Sequence, residues 1–119
     1  MFVSLYIFRV HRQSVPRFIE LIDQLKPLIQ SYEGKAYLFE EDVLTGKQGS
    51  MGLLNLFDLR DEEVVFLGKI EFHSKEHFHE AMEQMKQDNL IKQTYDQLRE
   101  VVDFTSLITS TFHDAESEV

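Results

Sequence analysis

The 119-residue sequence predicts an α+β domain whose antiparallel sheet carries helices on one face. The first observation is the order of hydrophobic patterns, which reads strand, helix, strand, an ambiguous segment, strand, helix and strand. This is the order of the ferredoxin-like arrangement. The second observation is that the strands are apolar on both faces, although the helices can cover only one. A second copy of the same sheet would cover the other face, so we expect a homodimer with a barrel-like interior.

The first strand is predicted over residues 2–11, which are rich in Phe, Val, Ile and Tyr. One face carries Val3, Leu5 and Ile7. The other face carries Phe2, Ser4, Tyr6 and Phe8. Because both faces are largely apolar, we expect this strand to be buried on both sides.

The first helix is predicted from Gln13 to Tyr32, where apolar residues recur every three or four positions. Ser14 is expected to cap it, and Pro16 lies in the first turn, where a missing N–H has no cost. Pro27 falls inside the pattern and is expected to kink the helix. Gly34 is expected to end it by adopting a positive φ.

The middle of the chain is less regular. A second strand is predicted over residues 35–43, followed by a loop at 45–49 that contains two glycines but lacks the spacing of a phosphate-binding loop. The leucine-rich segment 50–59 fits neither period, and we favour a short helix over a strand.

A strand that delivers the chain directly into a helix is the most distinctive feature of the sequence. The strand is predicted over residues 64–73, Ser74 is a plausible N-cap, and the helix runs to Met85. One face is continuously apolar and consists of Val64, Phe66, Gly68, Ile70 and Phe72. The other face begins apolar and ends with Lys69, Glu71 and His73. We expect the apolar face to pack on the helices.

The C-terminal part is predicted to hold a short helix and a final strand. The helix spans residues 90–101 and the strand spans 103–113, and residues 114–119 form an acidic tail. We therefore expect a single ferredoxin-like domain over residues 1–113.

Composition excludes several classes of function. With 12 Lys and Arg against 21 Asp and Glu, the net charge is −9, which opposes binding to nucleic acid or anionic lipid. The chain has no cysteine, so disulfides and thiol nucleophiles are excluded, and a cytoplasmic location fits. No run approaches the roughly 18 apolar residues of a membrane span, and the N-terminus lacks the features of a signal peptide. No cofactor motif or nucleophile motif is present.

The strand–helix stretch and its flanks resemble the YbaA-like family of uncharacterised bacterial proteins. The matching residues are Glu62–Phe66, Ile70–Phe72, Ser74–Glu76, Met85 and Asp88, with a weaker match at Pro27–Leu28, Tyr32 and Gly34. The resemblance implies membership of the dimeric α/β-barrel superfamily, in agreement with the two-sided strands. The family has no established activity. The chain departs from the family pattern at residues 50–59 and at His77 and His79.

Glu71 is the first candidate catalytic residue. Alternation places it with Lys69 and His73 on the face away from the helices, inside the expected barrel or dimer interface. A partly desolvated Glu71 would have a raised pKa and act as a general base, with His73 as its acid/base partner. The alternative is that Glu71 pairs with Lys69 or across the dimer to fix the register, while His73 lies in water at the rim.

The histidines do not predict a metal site. His77 and His79 are two residues apart on a helix and cannot share an ion, and His73 precedes the helix cap. No His-Glu-x-x-His sequence is present.

Four residues are candidates for ligand binding because they place polar groups beside apolar strands. They are Tyr6, Tyr37, Asn55 and Lys69. The alternative for the tyrosines is an ordinary core position in which the hydroxyl finds a backbone partner.

Two functional hypotheses follow. The first is a homodimeric module that binds a small apolar ligand or simply packs its interface. The second is a cofactor-independent monooxygenase or isomerase, by analogy with enzymes of the same fold.

Overall fold

A computed structural model describes residues 1–42 and 62–115. The strands are β1 (Phe2–His11), β2 (Lys35–Glu40), β3 (Glu63–Phe72) and β4 (Ile108–His113). The helices are α1 (Val15–Gln30), α2 (Lys75–Met85) and α3 (Asn89–Leu98). The predicted glycine loop at 45–49, the short helix at 50–59 and Asn55 lie outside the described residues.

The described part of the chain contains a four-stranded antiparallel sheet in the order β2–β3–β1–β4. The centre is formed by β1 and β3, which pair along their whole length with Tyr6 opposite Gly68. The first and last strands of the chain are thus neighbours, although they are about a hundred residues apart. The α+β ferredoxin-like prediction is confirmed.

The hydrophobic core lies between the sheet and the helices. Phe18 and Leu21 of α1 are fully buried, and the Phe18 ring contacts Phe8 of β1 and Phe66 of β3 at centroid distances of 5.2 and 5.0 Å. The even residues of β1 and β3 face this layer, as the alternation predicts. Further core residues are Val10, Leu25, Ile29, Phe72, Ala81, Met85, Ile91, Leu98 and Val102.

The start of α1 differs from the prediction. A 3-10 turn at Arg12–Ser14 precedes the helix, and Ser14 makes no capping hydrogen bond with its side chain. Instead, the Nδ1 atom of His11 accepts from the Gln13 N–H at 3.2 Å. The Ser14 backbone is already in the right-handed helical region, where its hydroxyl cannot cap. Pro16 occupies the first turn, and Pro27 lies inside the helix.

The turn after α1 is also made differently. The residue with positive φ is Glu33, at 66°, and not Gly34 as predicted. Gly34 is required for space, because a Cβ there would lie 2.8 Å from the Phe72 ring and 2.9 Å from the Ile29 side chain. The glycine therefore lets β2 start directly against the core.

The caps of the later helices follow the sequence. Ser74 accepts from the His77 N–H at 3.1 Å, which confirms the predicted start of α2. Asp88 caps α3 by accepting from the N–H groups of Leu90 and Ile91 at 2.9 and 3.2 Å. The final strand begins later than predicted, because Asp103 caps a 3-10 turn at Phe104–Ser106. No helix among residues 1–42 and 62–115 is long and apolar enough to cross a membrane.

Candidate functional site

A cavity of about 380 Å³ lies between the sheet and the helices. This volume falls within the range of small-molecule sites. Its walls are mostly aliphatic and aromatic side chains from every layer of the domain. They are Phe8, Ile22, Leu25, Ile29, Ala36, Leu38, Gly68, Ile70, Met82, Leu98, Phe104 and Leu107, together with Tyr6, Tyr37, Lys69, Tyr95 and Arg99.

Three tyrosines line this mainly apolar cavity, namely Tyr37 from β2 and the pair Tyr6 and Tyr95. Tyr6 comes from the central strand β1, on its helix-facing side, and Tyr95 comes from α3. Burial raises the pKa of Tyr95, and the nearby Tyr6 raises it further, although 37% of the residue as a whole is exposed. Tyr95 therefore stays protonated at neutral pH and remains a hydrogen-bond donor.

Neither hydroxyl bonds to a residue that the structure describes. Among residues 1–42 and 62–115, the hydroxyls of Tyr6 and Tyr95 have no hydrogen-bond partner, whereas the Tyr32 hydroxyl donates to Asp88 at 2.6 Å. Both groups keep their donor and acceptor capacity for a molecule in the cavity. The binding role of Tyr6 stays a prediction, and Tyr6 also packs against the hydrophobic core.

Arg99 adds a cationic group to the cavity wall. It follows α3 directly, and its guanidinium lies 3.4 Å from the Asp96 carboxylate and 5.9 Å from the centre of the Phe104 ring. Arg99 also lines a polar cleft with Arg9 and Glu100. It therefore lies where the apolar cavity meets the polar cleft.

The opposite face of the sheet has no helix on it within the described residues. The register of the sheet places four apolar residues in one row across the four strands, namely Phe39, Leu67, Ile7 and Ile108. Three of the large apolar side chains on this face are exposed to solvent. The exposed fraction is 49% for Phe39, 43% for Ile108 and 53% for Phe112, which lies further along β4. We call this surface, formed by the odd residues of β1, β2 and β3 and the even residues of β4, the open face.

Glu71 and Lys69 lie on the open face and pair with each other. The Lys69 Nζ atom is 2.9 Å from a Glu71 carboxylate oxygen and 4.7 Å from the centre of the Tyr37 ring. The Lys69 side chain is 30% exposed and the Glu71 side chain is 20% exposed. Glu71 does not line the cavity, whereas Lys69 and Tyr37 line it from β3 and β2.

The histidines are scattered. His73 follows β3 as an exposed residue, and His77 packs edge-on against Phe72 at 5.4 Å with its Nε2 atom 3.7 Å from Glu33. In the part of the chain that the structure describes, no three His, Asp or Glu side chains lie close enough together to hold a metal ion.

The structure brings together a different set from the one the sequence singled out. Tyr6 meets Tyr95 and Arg99 at the cavity, while Glu71 and His73 lie elsewhere. The sequence signal for Tyr95 was only its place on the buried side of a short helix. No sequence pattern indicated a binding role for Arg99, since a lone arginine after a helix is normally exposed.

The fold and the cavity define an α+β ferredoxin-like domain with an apolar site between its sheet and helices. Residues 1–103 match the family described as "Protein of unknown function (DUF1428)", and the chain belongs to that family. The YbaA-like name that the sequence suggested is not confirmed. No curated protein matches the chain.

Solved structures show the same fold at low identity. An uncharacterized NIPSNAP domain protein from Burkholderia xenovorans is 17% identical, with a TM-score of 0.60 over 98% of this chain and 97% of that one. A NIPSNAP family protein from Agrobacterium tumefaciens is 14% identical, with a TM-score of 0.62 over 98% and 94%. SnoaB, a cofactor-independent oxygenase from Streptomyces nogalater, is 11% identical, with a TM-score of 0.57 over 98% and 96%. At these identities the likeness concerns the fold alone.

Proposed function

We propose that this protein is a cytoplasmic homodimer that binds a small, mainly apolar molecule in the cavity between its sheet and helices. The observation that carries the proposal is the cavity itself, about 380 Å³ in volume and lined mainly by apolar side chains. Small-molecule sites are typically concave and mostly apolar with a few polar groups, and this cavity has that character.

The open face supports the dimer. Its exposed aromatic and aliphatic side chains form a contiguous surface of the kind that soluble proteins cover. The net charge of −9 gives a long-range repulsion between two copies, but the face itself has an apolar centre and a Lys69–Glu71 pair that is neutral overall. A second copy placed face to face would bury both surfaces.

Ligand binding can be tested with N-phenyl-1-naphthylamine, an uncharged apolar dye that fluoresces strongly in apolar sites. We expect saturable binding of one dye per chain. The Ala36→Leu variant adds bulk on the helix-facing side of β2 and should reduce binding about tenfold by filling the cavity. Leu90→Phe is the matched control, because it adds apolar bulk at a 59% exposed position outside the cavity.

Equal binding by wild type, Ala36→Leu and Leu90→Phe would place the dye on the surface and overturn the proposal. Thermal melting of each variant in the absence of dye checks that Ala36→Leu still folds.

The second hypothesis is a cofactor-independent monooxygenase or isomerase with an acid/base site at Glu71 and His73. SnoaB, a cofactor-independent oxygenase, shares the fold, and this support is fold analogy only. The Lys69–Glu71 ion pair favours a structural role for Glu71, and neither Glu71 nor His73 lines the cavity. The enzyme hypothesis stays a prediction, and Glu71→Gln tests it.

A further inference from the structure

We propose that the cavity selects ligands with a carbonyl oxygen, which accepts hydrogen bonds from the hydroxyls of Tyr6 and Tyr95. This inference rests on the proposed function and specifies the chemical class of its ligand. The class is a small apolar ketone or aldehyde.

Tyr6 and Tyr95 line a mainly apolar cavity, and no described residue bonds to either hydroxyl. The Tyr6 hydroxyl is not shut off from solvent and 37% of Tyr95 is exposed, so water can bond to both hydroxyls in the absence of a ligand. A ligand that displaces this water loses affinity unless it replaces those hydrogen bonds. A ligand atom that accepts from both would satisfy them together.

The geometry of the two tyrosines supports a shared acceptor. Tyr6 lies on the helix-facing side of the central strand and Tyr95 lies on α3, and both residues line the same cavity. They lie near enough for Tyr6 to influence the ionisation of Tyr95. A carbonyl oxygen has two lone pairs and can accept from two such donors at once.

The same groups disfavour other ligands. A pure hydrocarbon would fill the cavity but leave both hydroxyls without partners. A carboxylate would have to be desolvated among apolar side chains. The two cations that line the cavity already have carboxylate partners, since Arg99 lies 3.4 Å from Asp96 and Lys69 lies 2.9 Å from Glu71. The neutral carbonyl is the group that matches two neutral donors in an apolar cavity.

The test compares three probes of similar shape by displacement of N-phenyl-1-naphthylamine. They are 2-acetylnaphthalene, its hydrocarbon analogue 2-isopropenylnaphthalene, and 2-naphthoate. The variants are Tyr6→Phe, Tyr95→Phe and the double variant, and the control is Tyr32→Phe, whose hydroxyl bonds to Asp88 outside the cavity. Each Tyr→Phe change removes one oxygen atom and keeps the ring.

We expect the ketone-to-hydrocarbon affinity ratio to fall about threefold to tenfold for each cavity tyrosine and to stay unchanged in Tyr32→Phe. Hydrocarbon affinity in every variant should equal or exceed that of wild type, which also shows that the cavity is intact. If the double variant does not fold, the single variants carry the test.

Three results would overturn the inference. They are an unchanged ratio in the double variant, an equal loss for ketone and hydrocarbon, and tighter binding of 2-naphthoate than of the ketone to wild type. If no probe and no dye binds to wild type, the proposed function fails and the inference fails with it. Failure of the ketone preference alone leaves the proposed function standing.

Discussion

Tyr32 donates its hydroxyl to a carboxylate oxygen of Asp88 at 2.6 Å, although the two residues are 56 positions apart in the chain. The other carboxylate oxygen of Asp88 caps α3. One side chain thus connects the turn after α1 to the junction between α2 and α3. The bond with Tyr32, followed by the bond with the Ile91 N–H, lowers the pKa of Asp88.

The lowered pKa of Asp88 predicts a loss of stability in acid. Because the folded-state pKa lies below the unfolded value near 3.9, the stabilisation is present above about pH 4 and is lost as the pH falls through the folded pKa. Melting temperatures from pH 6 to pH 2 should fall more steeply for wild type than for Asp88→Asn. The control is Asp96→Asn, which removes an exposed carboxylate of α3. Parallel curves for wild type and Asp88→Asn would contradict the prediction.

The same bond predicts a loss of stability in alkali. The hydrogen bond to Asp88, then burial and the negative charge of Asp88, raise the pKa of Tyr32. The stabilisation is therefore present below the unfolded value near 10 and is lost as the pH rises through the folded pKa. Tyr32→Phe should be less stable than wild type at pH 7, and its melting temperature should fall less between pH 9 and pH 11. An unchanged alkaline slope in Tyr32→Phe would show that the bond does not contribute.

Gly34→Ala should destabilise the domain by about 1–3 kcal/mol. Its Cβ would lie within 2.9 Å of both the Phe72 ring and Ile29, and Phe72 is 2% exposed and cannot move freely. Urea unfolding measures the change. The neighbouring Glu33→Gly is the control, and we expect it to stay within about 0.5 kcal/mol of wild type, since relief of the positive φ offsets the greater freedom of the unfolded chain. A neutral Gly34→Ala would mean that the core can shift at this point.

The sequence predicted most of the fold because its patterns are local. Alternation in residues 64–73 fixed which side chains of β3 face the helices, and Ser74 marked the start of α2. The errors occurred where a tertiary contact decides the outcome. Gly34 was predicted to serve the backbone turn, but its role depends on the Phe72 ring, which is distant in sequence.

The candidate site was less predictable than the fold for the same reason. Lys69 and Glu71 are two residues apart on one strand, so the alternation of side chains along a strand is enough to predict that they share a face. Tyr6 and Tyr95 line one cavity only because α3 packs beside α1 in the helical layer. No spacing rule relates residues so far apart, and a single sequence carries no record of the contact.

Leu67→Asp should convert the proposed homodimer to a monomer. Leu67 lies in the middle of the open face between Phe39 and Ile7, and an unpaired carboxylate buried there would weaken the dimer by on the order of 100-fold. Light scattering should give twice the 14.0 kDa mass for wild type and the single-chain mass for the variant. Ile19→Asp is the control, because Ile19 is 37% exposed on α1 while Leu67 is 36% exposed. A wild-type monomer at all concentrations would refute the dimer itself.

Glu71→Gln distinguishes a structural ion pair from an acid/base group. If the pair is enclosed in the dimer, removing one partner leaves Lys69 without a countercharge, and we expect the dimer to dissociate about ten times more readily. The double variant Lys69→Met, Glu71→Leu removes both charges and should restore wild-type association, because two apolar side chains suit the same environment. Binding of N-phenyl-1-naphthylamine should not change in Glu71→Gln, since Glu71 does not line the cavity. Sedimentation equilibrium measures the association, and dye titration measures the binding. Loss of dye binding together with unchanged association would reverse the assignment and favour a role for Glu71 in the site.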